Sequence, residues 1–330
     1  MTLPPPGTPC SSDASGDAPI ADLSYRHYDG PLHSRSNRWW IVALAGIRPA
    51  MRRWWFWLLV LVSASPYVFW GFLLFLQTRL GREVQDVLFG TDEAHRFALV
   101  FYNAYQGSLF WIMVLALTMG APSVAADNRT NALQVYLSKP ITKADYLLGK
   151  WASVFVVVAA AMLLPSIALF FYCVLSFWSD GFVVHEPWLL LKIVAASAVT
   201  AGALAAVFVG VSAWCRSTLV AAAAAAGLYL GSQIAARVLW VVLHFREVAA
   251  GNLAAGVLVQ HASVGGVISG LVWNVYGVTV RAPIRPGLPG ASASMSPPEL
   301  WIMLTAYAAI FFIGLAAAYV RVRAVEVVAS

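Results

Sequence analysis

Residues 54–77 read WWFWLLVLVSASPYVFWGFLLFLQ, with no charged side chain between Arg53 and Arg79. A helix needs ~20 apolar residues to cross a hydrocarbon core of ~30 Å. Lipid offers no water to backbone amides and carbonyls, so such a run must close its hydrogen bonds within itself, as a helix. Pro66 lies inside the run and predicts a kink. Trp54, Trp55 and Trp57 at one end, with Phe69, Trp70 and Phe72 towards the other, have the placement of membrane-interface aromatic belts; a ligand cage is the alternative reading.

Working outward, five more runs meet the same test: 104–124, 152–178, 188–214, 218–244 and 300–320. The 188–214 run holds only Lys192, close enough to its edge for the ammonium to reach water. Of the 330 residues, 60% are hydrophobic and 11% charged, whereas a soluble domain carries ~25% charged residues. The expected fold is therefore all-α and polytopic, with six transmembrane helices. The net charge of +6 does not indicate nucleic acid, because the basic residues flank apolar runs instead of lining one face.

Residues 1–36 are rich in Pro, Gly, Ser and Asp and are expected to be a disordered tail. The six-span body, 37–330, begins with Trp39, Trp40, Ile41, Leu44 and Ile47 set among Arg38, Arg48, Arg52 and Arg53. That pattern predicts a helix lying in the membrane interface, with a solvated linker helix as the alternative. Lys and Arg accumulate on the cytoplasmic side of membrane proteins. With six spans and a cytoplasmic N terminus, thirteen of the 21 Lys and Arg fall inside, seven outside, and Arg237 within the fifth span. Both termini are thus expected in the cytoplasm. The outer segment 245–299 contains an almost uncharged stretch, 248–280, whose Gly251, Gly256, Gly265, Gly266, Gly270 and Gly277 weaken a continuous helix. Short re-entrant or interfacial helices are expected there, a seventh span being the alternative.

The loop at 127–150 is not merely a connection. Leu133, Tyr136 and Leu137 share a helical face, Pro140 stops that helix, and a second helix leads through Gly149 and Lys150 into the third span. An apolar face projecting from the bilayer must bury itself in lipid or in a partner's groove.

In this loop the chain resembles the permeases of type 2 ABC transporters. The matching residues are Ala132-Leu133, Tyr136-Leu137-Ser138-Lys139-Pro140-Ile141-Thr142 and Leu147-Leu148-Gly149-Lys150, in order and spacing. Tyr25-Arg26-His27-Tyr28-Asp29-Gly30 and the terminal segment from Arg321 to Val327 agree, whereas Asn131 and Gln134 replace the family's common Gly and Glu. The resemblance implies that 127–150 is a cytoplasmic coupling helix held by a separate ATPase subunit. Leu133, Tyr136 and Leu137 would be its anchors, Arg129, Lys139 and Lys143 its charged rim, with Ser138 and Pro140 completing the motif. It further implies an exporter permease of the bacterial cytoplasmic (inner) membrane, working as a dimer of permeases with two ATPases. A non-transporting scaffold and an ATP-independent channel or carrier are the rival readings.

No GxxxxGK[ST] motif is present, so ATP and Mg are expected in the partner and this chain is expected not to be an enzyme. Cys10, Cys173 and Cys215 have no metal spacing, and His185-Glu186-Pro187 is not HExxH. Ser212 and His244 fall at opposite membrane faces, which excludes a serine protease dyad. Gly227 and Gly231, extended by Ala223 and Ala235, form a small-residue ridge on the fifth span. It reads either as a dimer seam or pathway wall, or as packing within one subunit. Arg237 reads either as an interfacial anchor or as a contact for an anionic headgroup.

Overall fold

The computed structural model describes residues 38–80, 96–130, 132, 141–179, 181–250, 259, 261–283 and 292–322. Among them, six helices are long and apolar enough to cross a membrane. In chain order the helices are α1 (Arg38–Met51), α2 (Trp54–Leu80), α3 (Arg96–Thr130), α4 (Lys143–Ser176), the single turn α5 (Phe182–His185), α6 (Leu189–Trp214), α7 (Thr218–Ala250), α8 (Val264–Tyr276) and α9 (Leu300–Arg321). One short antiparallel ribbon joins β1 (Val280–Pro283) to β2 (Ser292–Met295), with Val280 opposite Met295. The fold is an all-α, polytopic bundle.

The bundle is organised around α6, whose most apolar stretch is 78% buried, against 11% for α9 and 22% for α7. In lipid there is no hydrophobic drive between helices, so close packing must supply the attraction, and small side chains permit it. A Cβ on Gly210 would lie 2.5 Å from the Gly314 carbonyl oxygen, and one on Gly314 would lie 2.7 Å from that of Ala206. Only glycine allows α6 and α9 to cross this closely. Around the crossing, Tyr307 donates to the Val199 carbonyl at 3.0 Å and Trp214 to that of Ala317 at 3.1 Å.

Two spanning helices run beyond their uncharged stretches. Helix α3 continues through Asp127-Asn128-Arg129-Thr130, and α4 begins at Lys143 and runs unbroken to Ser176. Residues 143–150 are therefore the opening turns of α4, not a separate helix, and the connection itself is 131–142.

At the bundle end opposite α1, α8 has 13 residues, too few to cross a hydrocarbon core. Ser263 caps its start by accepting from the Gly266 amide at 2.9 Å. Gly277, with φ of 67°, ends it in the left-handed conformation that glycine adopts without strain. Lys192 then donates to the Tyr276 carbonyl at 3.1 Å and pairs with buried Glu186 at 3.3 Å. A cation at a helix C terminus is favoured by the backbone dipole. Lys192, expected merely to reach water, instead fastens α8 to α6.

Candidate coupling site

Both flanks of the 131–142 connection are fixed by sequence-local chemistry. Thr142 and Asp145 form a capping box at the start of α4: the Asp145 amide donates to Thr142 Oγ1 at 3.1 Å, and the Thr142 amide to Asp145 Oδ2 at 3.2 Å. The Thr-x-x-Asp spacing was readable in the sequence and marks where α4 must begin.

One turn later, α4 is bound to the last turns of α3. Lys150 Nζ lies 2.7 Å from Asp127 Oδ2, and Tyr146 Oη donates to the same oxygen at 2.7 Å. The ammonium also sits 5.5 Å from the Tyr146 ring centroid. Asp127 and Lys150 expose only 16% and 11% of their side chains, so the pair is largely desolvated. Next along α3, Asn128 Nδ2 donates to the Ala213 and Cys215 carbonyls, each at 3.1 Å. These acceptors belong to the end of α6, where helix carbonyls lack partners of their own. Asp127 and Asn128 thus tie one end of the connection to two other helices.

Helix α1 closes the assembly. A Cβ on Gly149 would meet the Trp39 carbonyl oxygen and Val42 Cβ at 2.6 Å, and one on Gly46 would meet Ser153 at 3.0 Å. The Leu-Gly-Lys step at the entry to α4 now has a physical reading. Glycine admits α1, and the lysine fixes α3.

Among the expected coupling residues, Arg129 is exposed on the final turn of α3 and Lys143 is half-buried at the first residue of α4. Leu133, Tyr136, Leu137, Ser138, Lys139 and Pro140 lie outside the described residues. Sequence reading missed Asp127, Asn128 and Tyr146, because their partners lie on other helices.

The ridge on α7 presents Ala223, Gly227, Gly231 and Ala235 on its exposed side, and a Cβ on either glycine would meet nothing within 4 Å. Among the described residues, nothing packs against either glycine of the ridge. Arg237 is exposed at the flank of that side.

The profile of the family described as "ABC-2 family transporter protein" matches residues 40–251. The match runs from within α1 through α7 and includes Asp127, Asn128, Tyr146, Gly149 and Lys150. The chain belongs to the ABC-2 transporter family. It is a multi-pass membrane component of a transporter, not itself catalytic, and permeases of the ABC-2 family generally work with an ABC ATPase. No curated protein matches the chain.

Proposed function

We propose that this ABC-2 permease is the membrane half of an exporter of the bacterial inner membrane. Its 131–142 connection is gripped by a separate ATPase, and two copies form the pathway. The observation that carries this reading is the knot of Asp127, Tyr146, Lys150 and Asn128 at the base of the connection. A push on the connection meets little slack there, because three spanning helices are bonded together and α1 packs closely on α4 at that level. ATP and Mg act in the partner. The excess of basic residues at the α1 end supports placing it, with both termini, in the cytoplasm.

The bare ridge of α7 supports a second permease copy as its covering. Small residues turned outward give poor contact with lipid tails and good contact with a facing helix backbone. Arg237, flanking the ridge, is either an anchor at the outer interface or a contact for an anionic headgroup.

The test is purification of the full chain from membranes, wild type against Leu133→Asp/Tyr136→Asp. A P-loop ATPase is expected to co-purify with the wild type and to be lost from the variant, while the variant keeps its membrane yield and melting temperature. Equal recovery of the ATPase by both overturns the coupling role of 131–142. A fully working chain with no ATPase bound overturns the reading as a whole and leaves the channel or scaffold.

A further inference from the structure

We propose that α3 is hinged at Pro122 and that Ser212, on α6, is the positioning residue that allows it to bend. Pro122 has no amide hydrogen to give the Thr118 carbonyl, and its ring crowds that carbonyl, so the helix ladder is open at this turn. The next two rungs would normally run from the Val124 amide to the Gly120 carbonyl and from the Ala125 amide to the Ala121 carbonyl.

Serine hydroxyls meet all four of these groups. Ser123 Oγ donates to the Gly120 carbonyl at 2.6 Å. Ser212 Oγ donates to the Ala121 carbonyl at 2.6 Å and accepts from the Val124 and Ala125 amides at 3.1 and 2.9 Å. One donor and two acceptor positions are all that a hydroxyl has, and Ser212 uses each of them on this turn.

The location makes those bonds consequential. Ser212, Val124 and Ala125 are fully buried and Ala121 nearly so, so no water stands ready to satisfy a rung that opens. An opened rung in a dry interior is costly unless another partner is in place. Ser212 and Ser123 are those partners, and they let two rungs lengthen or shorten without orphaning a polar group. Side chains inserted into a helix ladder are among the recognised causes of bending.

The surroundings separate α3 into two parts. Above the proline turn, a Cβ on Gly120 would meet Phe208 Cβ at 2.6 Å, which presses this turn against α6. Below it, Asp127 binds Lys150 and Tyr146 at the start of α4, and Asn128 reaches α6 only through the terminal carbonyls of Ala213 and Cys215. In the proposed motion those two Asn128 bonds are exchanged, and the lower part swings with the start of α4 as a block about Ser212. That this swing carries thrust from an ATPase rests on the proposed function; the hinge itself does not.

The experiment uses the full chain in lipid nanodiscs, with Cys10, Cys173 and Cys215 replaced by alanine and paired spin labels introduced. One pair, Thr130 with Trp188, spans the hinge, and the other, Thr130 with Ile41, lies within the block; all three positions are exposed. The wild type is expected to give a broad distance distribution for the first pair and a narrow one for the second. Ser212→Ala and Pro122→Ala should each narrow the first pair to a single population. Their double variant should narrow it no further, and Ser212→Thr, which keeps a hydroxyl, should restore the breadth. A merely structural hydroxyl would leave the distribution unchanged in Ser212→Ala, or give a double variant that adds the two effects; either result overturns the hinge. Where an ATPase co-purifies, ATP–Mg with orthovanadate should shift the first pair in the wild type and not in Ser212→Ala. A shift absent from the wild type counts against the ATPase coupling, while the nucleotide-free distances still decide the hinge.

Discussion

Lys150 Nζ stands 2.7 Å from Asp127 Oδ2, so the first turns of α4 and the last turns of α3 meet through a largely buried ion pair. Removing one partner of such a pair strands a charge and typically costs about 3 kcal/mol or more, whereas removing both costs far less. Lys150→Met alone should therefore lower the melting temperature of the purified chain markedly, and Asp127→Asn/Lys150→Met should recover most of the loss. Equal melting temperatures for the single variant and the wild type would show that the pair is already solvated.

Gly149 is the point where α1 lies on α4, with the Trp39 carbonyl oxygen 2.6 Å from the position of an added Cβ. Overpacking in a close crossing costs about 1–3 kcal/mol. Gly149→Ala is expected to loosen α1, and Gly149→Leu to release it. Both should be read as faster proteolysis within 38–53, while the six spans remain protected.

Two sets of glycines should behave oppositely. Gly210→Ala places a methyl 2.5 Å from the Gly314 carbonyl and should destabilise the monomer in detergent, whereas Gly227→Ala meets nothing within 4 Å. In a helix interior alanine is favoured over glycine by ~1 kcal/mol, so Gly227→Ala should be neutral or stabilising in the monomer. Gly227→Leu should nonetheless reduce disulfide cross-linking between copies carrying a cysteine at Gly231. Undiminished cross-linking would place the seam on another face.

Lys192 joins Glu186 and the Tyr276 carbonyl at the far end of the bundle. Lys192→Met should strip α8 of its C-terminal cation and leave the Glu186 carboxylate buried without its counter-charge. Amide hydrogen exchange in 264–276 should then speed up, and by less in Glu186→Gln/Lys192→Met. No change in exchange would show that Ser263 and Gly277 hold α8 unaided.

The spanning helices were legible because lipid imposes one solution on a long uncharged run: 54–77 in the sequence became α2, Trp54–Leu80. Their true ends were less visible. Asp127 reads as the edge of a span, yet α3 continues past it, because Lys150 and Tyr146 satisfy the carboxylate. In the sequence Ser212 reads only as one half of an implausible catalytic pair. Its part in α3 depends on a partner 91 positions away, and no local pattern encodes that apposition. The spacing of Gly227 and Gly231 defines a ridge, but the side on which it falls appears only once α7 is packed. The anchors Leu133, Tyr136 and Leu137 were named from periodicity and resemblance, and they lie outside the described residues.

The contrast between α6, with a continuous buried stretch, and α9, in which only Met303 and Ala318 are fully buried, bears on how this chain can vary. Every position of α6 from Thr200 to Gly210 is buried, so its alphabet shrinks to whatever volume its neighbours leave. In a saturation library, α6 should appear as a block of rejected substitutions. Across α9 many greasy residues should pass, except at Met303, Tyr307, Gly314 and Ala318, where the helix touches its support.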